Sequence, residues 1–141
     1  MKKNQASLRR QGFTFIEMLV VVTIIGVLAA VGVANFKVAN QKARDGRRQG
    51  DLQQIRAALE LYRTDQNAYP TTGEFTAPLE AGGTTYMEQI PDDPLEANSY
   101  VYVSNGTTYT LGAYLELANT DISALTGCSA SDCNYQVTSP L

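Results

Sequence analysis

The chain has 141 residues, enough for one domain with a modest core. It contains no His and only two Cys, which excludes a Ser-His-Asp triad, a Cys-His pair, a His-ligated zinc and a closed four-thiolate metal site. The formal charge of −3 gives no reason to expect nucleic-acid binding, and the mean hydropathy of −0.18 hides a strong segregation along the chain.

Residues 1–12 carry Lys2, Lys3, Arg9 and Arg10 and no acid. Residues 13–36, FTFIEMLVVVTIIGVLAAVGVANF, hold one ionisable side chain, Glu17, and the 19 residues from Met18 to Phe36 are uncharged. As a helix this block would be ~36 Å long at ~1.5 Å per residue, against a bilayer core of roughly 30 Å. A buried core helix is the alternative reading, but the rest of the chain is too small to wrap such a helix on every side. The basic leader favours a single pass with a cytoplasmic N-terminus.

Residues 37–65 read as an amphipathic stem. Between 37 and 63 stand Lys37, Lys42, Arg44, Arg47, Arg48, Arg56 and Arg63, against only Asp45, Asp51 and Glu60. Residues 64–141 hold ten acids and no Lys or Arg. A basic stem thus carries an acidic head, either for solubility or for attraction between the stem of one copy and the head of another. Leu52, Ile55, Leu59 and Tyr62 recur on one helical face. Before Leu52, QKARDGRRQG has no apolar face. It includes Gly46 and Gly50, each costing about 1 kcal/mol in a helix interior relative to Ala. A bend there is expected, or a surface completed by neighbouring chains. A helix from Phe13 to Thr64 would reach ~78 Å, longer than a domain of this size encloses.

The helix should stop near Asn67, before Pro70. Residues 71–98 read as a long loop with one short helical turn or strand near Tyr86–Ile90. A hairpin follows: Ser99–Ser104 and Thr107–Leu117 alternate around Asn105-Gly106, the sequence of a two-residue type I′ turn. In that register Tyr102 faces Tyr109 and Tyr100 faces Leu111. Asn105-Gly106-Thr107 also fits the N-glycosylation pattern, which the turn explains better. The continuous Tyr/Leu face needs cover, and the Leu52/Ile55/Leu59/Tyr62 stripe is the obvious partner. With a third strand from Asn134–Thr138, the expected architecture is α+β: a long N-terminal helix packed on a small antiparallel sheet, with a globular head over 66–141.

Cys128 and Cys133 enclose four residues. In an oxidising compartment a bridge would stabilise by about 2 kcal/mol; in a reducing one they would be free thiols. Export favours the bridge.

At the junction, Gly12 before Phe13 offers an unhindered bond to a protease at the cytoplasmic face. Cleavage would leave an α-amine on Phe13, mostly positive with an ordinary pKa near ~8. Glu17, one helical turn on, is costly in an apolar segment and wants a partner. That partner is the amine of its own chain, where the helix dipole also favours an acid, or the amine of an adjacent chain, which would mark register between copies.

The basic leader, Gly12-Phe13, Glu17 and the apolar run to Phe36 resemble the N-terminal motif of type IV prepilins and type II secretion pseudopilins. The stem and Tyr62…Asp65…Tyr69-Pro70-Thr71 are similar to the major pseudopilin, and Asp93-Pro94…Tyr100…Asn105-Gly106…Tyr109 is a looser match. The resemblance implies that a membrane prepilin peptidase, an aspartyl protease, cuts after Gly12 and methylates the amine of Phe13. It implies an inner-membrane anchor until assembly. A platform driven by a cytoplasmic ATPase would then stack copies into an extracytoplasmic filament, with Glu17 paired to a neighbour's Phe13 amine. Many members have a proline near the end of the apolar block; the matching position here is Ala34 and the block has none, so the family's local melting of this helix is not carried over. Some pseudopilins bind Ca2+ in the head. Asp92, Asp93, Glu96, Asp121 and Asp132 are available, but their spacing matches no fixed loop rule, and no cofactor is expected.

A Sec-exported or membrane-anchored surface binding protein is the competing reading, the exported form cut by signal cleavage after Ala34. Its apolar stretch would be longer than the usual ~7–15 residues of a signal peptide. An enzyme is not expected, because the head offers no side chain whose ordinary pKa lies near neutral.

Overall fold

In the computed structural model, residues 12–118, 125–128 and 132–140 are described. One long helix, α1 (Phe15–Gln66), precedes five short strands among these residues. The chain divides into two units, residues 1–38 and 39–141. The leader through residue 11 lies outside the described residues.

In the first unit the chain is non-helical at Gly12–Thr14 and helical from Phe15. Thr14 and Glu17 stand in the T-x-x-E spacing of a capping box. Long apolar side chains point outward all around the helix, among them Phe15, Ile16, Val22 and Leu28.

In the second unit α1 runs unbroken through Gly46 and Gly50, so the expected bend is absent. Ion pairs to the head hold this stretch in place of an apolar face, as described below. The helix ends where Asn67 adopts a left-handed conformation, φ 59°, and its N–H donates to the Arg63 carbonyl at 2.8 Å, a C-terminal cap ahead of Pro70.

The 71–98 segment is more ordered than the long loop expected. β1 (Leu79–Ala81) and β2 (Thr84–Met87) form a second small antiparallel sheet. Gly82 and Gly83 join them, both at positive φ, as a type I′ turn requires. β3 (Val101–Ser104), β4 (Tyr109–Ala113) and β5 (Tyr135–Thr138) form the main sheet in that order, all antiparallel. The expected third strand is therefore present.

The hairpin register differs from the expected one. Ser104 pairs with Tyr109 and Tyr102 with Leu111, so the connection is the four-residue loop 105–108. Two groups take up its polar atoms. The Asn105 side chain accepts the N–H groups of Thr107 at 2.9 Å and Thr108 at 2.8 Å, and the Gly106 carbonyl accepts the Tyr69 N–H at 2.8 Å. A slip of two positions keeps every side chain on its expected face.

That face forms the core. Leu52, Ile55 and Leu59 of α1 are fully buried with Tyr102, Tyr109, Leu111 and Val137 of the sheet. Tyr69 meets Tyr109 edge-on with ring centroids 4.7 Å apart, and Phe75 stacks on Tyr102 at 4.3 Å. The Tyr102 hydroxyl donates to the Pro70 carbonyl at 2.7 Å.

A smaller cluster of Leu125, Cys128 and Cys133 packs beside β4. A Cβ at Gly112 would meet Leu125 Cδ1 at 2.7 Å and Cys133 Sγ at 3.1 Å. Gly112→Ala should therefore cost about 1–3 kcal/mol by overpacking. Urea denaturation measures it, and an unchanged midpoint would show that this cluster yields freely.

Candidate functional site

Gly12 and Phe13 are exposed and non-helical, and nothing lies within 4 Å of where a Gly12 Cβ would point. The bond between them is open to attack. Phe13 is 80% exposed.

Glu17 is tied to its own helix start. Its Oε2 accepts the Thr14 N–H and the Thr14 hydroxyl, both at 2.7 Å, and the Glu17 N–H approaches Thr14 Oγ1 at 3.4 Å. This reciprocal cap satisfies N–H groups that the first helical turn otherwise leaves unpaired. Its other oxygen, Oε1, makes no hydrogen bond among the described residues. The capping box is written in Thr14-Phe15-Ile16-Glu17, and the helix-dipole reading passed over it.

α1 is long and apolar enough to cross a membrane, and none of its most apolar window is buried. Phe15 is 85% exposed and Leu28 66%. Full exposure of this much apolar side chain to water is unfavourable, roughly 1.5–3 kcal/mol for each large residue that could be buried instead. The helix therefore requires a bilayer or other molecules around it.

In the second unit, a charged cluster couples the stem to the head. Arg48 is fully buried. Its Nε and Nη2 donate to Asp93 Oδ2 and Oδ1 at 2.7 and 2.9 Å, a bidentate pair. Its Nη1 donates to Asp45 Oδ1 at 2.8 Å and Glu116 Oε1 at 3.0 Å. Arg44, one turn earlier on the same face, donates twice to Glu116 at 2.6 Å. The carboxylates are satisfied in turn. Asp45 accepts the N–H groups of Glu116 and Leu117, each at 2.9 Å, and Asp93 accepts that of Leu95 at 2.8 Å. Nearby, the Tyr100 hydroxyl donates to Asp51 at 2.7 Å.

Sequence reasoning missed this cluster. Asp93 and Glu116 stand 45 and 68 residues from Arg48, beyond any periodic window. The signal lay in Arg44, Asp45 and Arg48, charges at helical spacing in a segment without an apolar face. Two of the basic stem residues are thus spent on the chain's own acidic head, a use of the charge asymmetry that neither expected reading included.

Cys128 and Cys133 form a disulfide with Cα atoms 5.1 Å apart. The Ser99 N–H donates to the Cys128 carbonyl at 2.9 Å and the Cys133 N–H to the Leu125 carbonyl at 3.1 Å. The bond is a buried clasp between the β3 approach and the β5 approach. Among the described residues no group of three or more carboxylate or thiol side chains is placed to hold a metal ion; Asp121 lies outside them.

Comparison with known proteins adds to this geometry. Residues 7–33 match the prokaryotic N-terminal methylation motif, and residues 35–116 match the model for type II secretion system (T2SS) protein G. The type II secretion system core protein G of Pseudomonas aeruginosa is 37% identical over 123 residues, covering 74% of this chain and 86% of that protein. The protein of the same name from Vibrio cholerae is 34% identical over 120 residues, covering 74% and 82%. That from Escherichia coli is 33% identical over 113 residues, covering 72% and 77%. No solved structure gives a significant match.

The ion cluster makes stability depend on acid. Hydrogen bonds from Arg44, then Arg48, hold the Glu116 carboxyl at about 2, below its ordinary 4.5. A depressed folded-state value means the stabilisation is complete above the unfolded pKa and is lost as pH falls from 4.5 toward 2. Denaturation midpoints should be level above about pH 5 and fall below it, and Glu116→Gln should flatten that fall. An equal acid slope in the variant would remove Glu116 from the explanation.

Proposed function

This chain belongs to the type II secretion system protein G family, and from that membership we propose that it is the repeating, major-type subunit of a pseudopilus filament. One observation carries the reading: an apolar helix exposed all around its circumference, joined to the methylation motif over residues 7–33. A secreted monomer would have to discard that helix, whereas a polymer subunit needs it.

The sequence of events follows from the residues. The helix holds the precursor in the inner membrane with the basic leader on the cytoplasmic side. Prepilin peptidase cuts after Gly12, where the open Gly12-Phe13 bond supports access, and the new Phe13 amine is methylated. An assembly platform with a cytoplasmic ATPase then moves subunits from lipid into the filament. Apolar helices exchange bilayer contacts for contacts with each other, so the transfer avoids exposing them to water.

Glu17 takes two roles in turn. In the free chain its Oε2 caps the helix through Thr14. In the filament its remaining oxygen faces the Phe13 amine of a neighbouring copy, where a buried unpaired charge would penalise slipped registers. The head contributes shape and spacing, not catalysis: its clustered ionisable groups around Arg48 are already paired with one another. No cofactor is needed for this role.

Intact mass spectrometry of filament-derived protein tests the proposal. Loss of 12 of the 141 residues leaves 129, beginning at N-methyl-Phe13. A chain beginning at Asn35 would instead establish signal-peptide removal. Glu17→Ala should give the same processed mass yet be largely absent from filaments; normal incorporation would reduce Glu17 to its local cap.

A further inference from the structure

Once the intrachain pairs are made, charge remains unmatched on the surface. Glu88 and Asp92 are exposed and have no hydrogen-bond or ion-pair partner among the described residues, and the same holds for Lys42 of the stem. Glu88 and Asp92 edge a groove of about 670 Å³ between α1 and the segment after β2. Ala57 and Leu61 of α1 line one side and Ile90 the other, with Arg47 at one end. Leu61 is 61% exposed although it lies in a recess. The groove is thus lined mainly by polar groups, with Ala57, Leu61 and Ile90 as its apolar part and two carboxylates without partners among the described residues at its edge.

The stem carries the complementary pattern. Val38, 53% exposed, precedes Lys42 by four residues and so shares its helix face. An apolar side chain stands one turn from a free ammonium group. We propose that this groove is an interface between copies of the chain. The stem of a second copy docks in it, Val38 against Ile90 and Lys42 against Glu88, with Asp92 adding to the negative field. This rests on the filament reading above and names one of its lateral contacts.

The stagger follows from helix geometry. Lys42 lies 15 residues before Ala57 and 19 before Leu61, about 23–28 Å along a helix. With parallel helices, the docking copy is displaced by that distance along the axis.

The full-length chain in cells that assemble filaments tests this. Both native cysteines are committed to the clasp, so introduced thiols report cleanly. Lys42→Cys combined with Glu88→Cys should give disulfide-linked dimers and longer ladders from sheared filaments on oxidation, and neither single variant should. Independently, Glu88→Lys with Asp92→Lys should lower filament recovery by about tenfold or more through like-charge contact, and adding Lys42→Glu should restore it. Filaments at normal yield from the charge-reversed chain, or no cross-link above the single variants, would overturn the contact while leaving the filament reading intact. If the wild-type chain is processed but never polymerises, the filament reading falls and this inference falls with it.

Discussion

A helix that is apolar all around cannot be satisfied by water, and that constraint decides where this chain can reside. From Met18 to Phe36 the helix has no polar stripe to turn outward. A soluble protein would bury such a segment inside a bundle, but here the described side chains of that segment are exposed. The only environments that remove the cost are a bilayer and a bundle of like helices. Because both are equally apolar, passage between them is close to neutral in hydrophobic terms, and specificity must come from polar marks. On the proposed reading, Glu17 at the start of the helix is such a mark: one oxygen sits in the helix cap, and the other accepts no hydrogen bond among the described residues.

The head solves a different problem. Residues 39–51 have no apolar face to pack, yet they must be held at a defined angle to the sheet. Arg48 does this with three carboxylates drawn from the helix, from the segment before Pro94 and from the segment after β4. Directional, bidentate ion pairing fixes register where a greasy contact would allow sliding. The Cys128–Cys133 clasp does the same for the approach to β5, and Gly112 provides the clearance it needs. On the proposed reading, the residual charges on stem and head serve contacts with other copies.

Elements with a strong period were legible in the sequence. The Leu52/Ile55/Leu59 stripe and the alternating Tyr100–Ser104 and Tyr109–Ala113 runs met as expected, because one hydrophobic face selects the other. The Gly82-Gly83 hairpin was not legible: its strands have only three and four residues, too few for alternation to stand out. The main hairpin register was missed because Asn105-Gly106 carries a strong two-residue turn signal, while the tertiary bond from Tyr69 and the Asn105 side chain favour a four-residue loop. The Arg48 cluster was hidden for another reason. Partner choice among charges depends on the fold, so its acids could not be picked from ten candidates before the chain was folded. The junction at Gly12, Phe13 and Glu17 stood out because an acid in an apolar run is rare and expensive.

Solvent access to the middle of the apolar helix tests this view most directly. Leu28→Cys places a thiol within the span, and a membrane-impermeant maleimide reports whether water reaches it. The thiol should stay unlabelled both in the membrane-held precursor and in intact filaments, and become reactive only after denaturation. Rapid labelling in intact filaments would show that the helix is not their packed interior and would contradict the account.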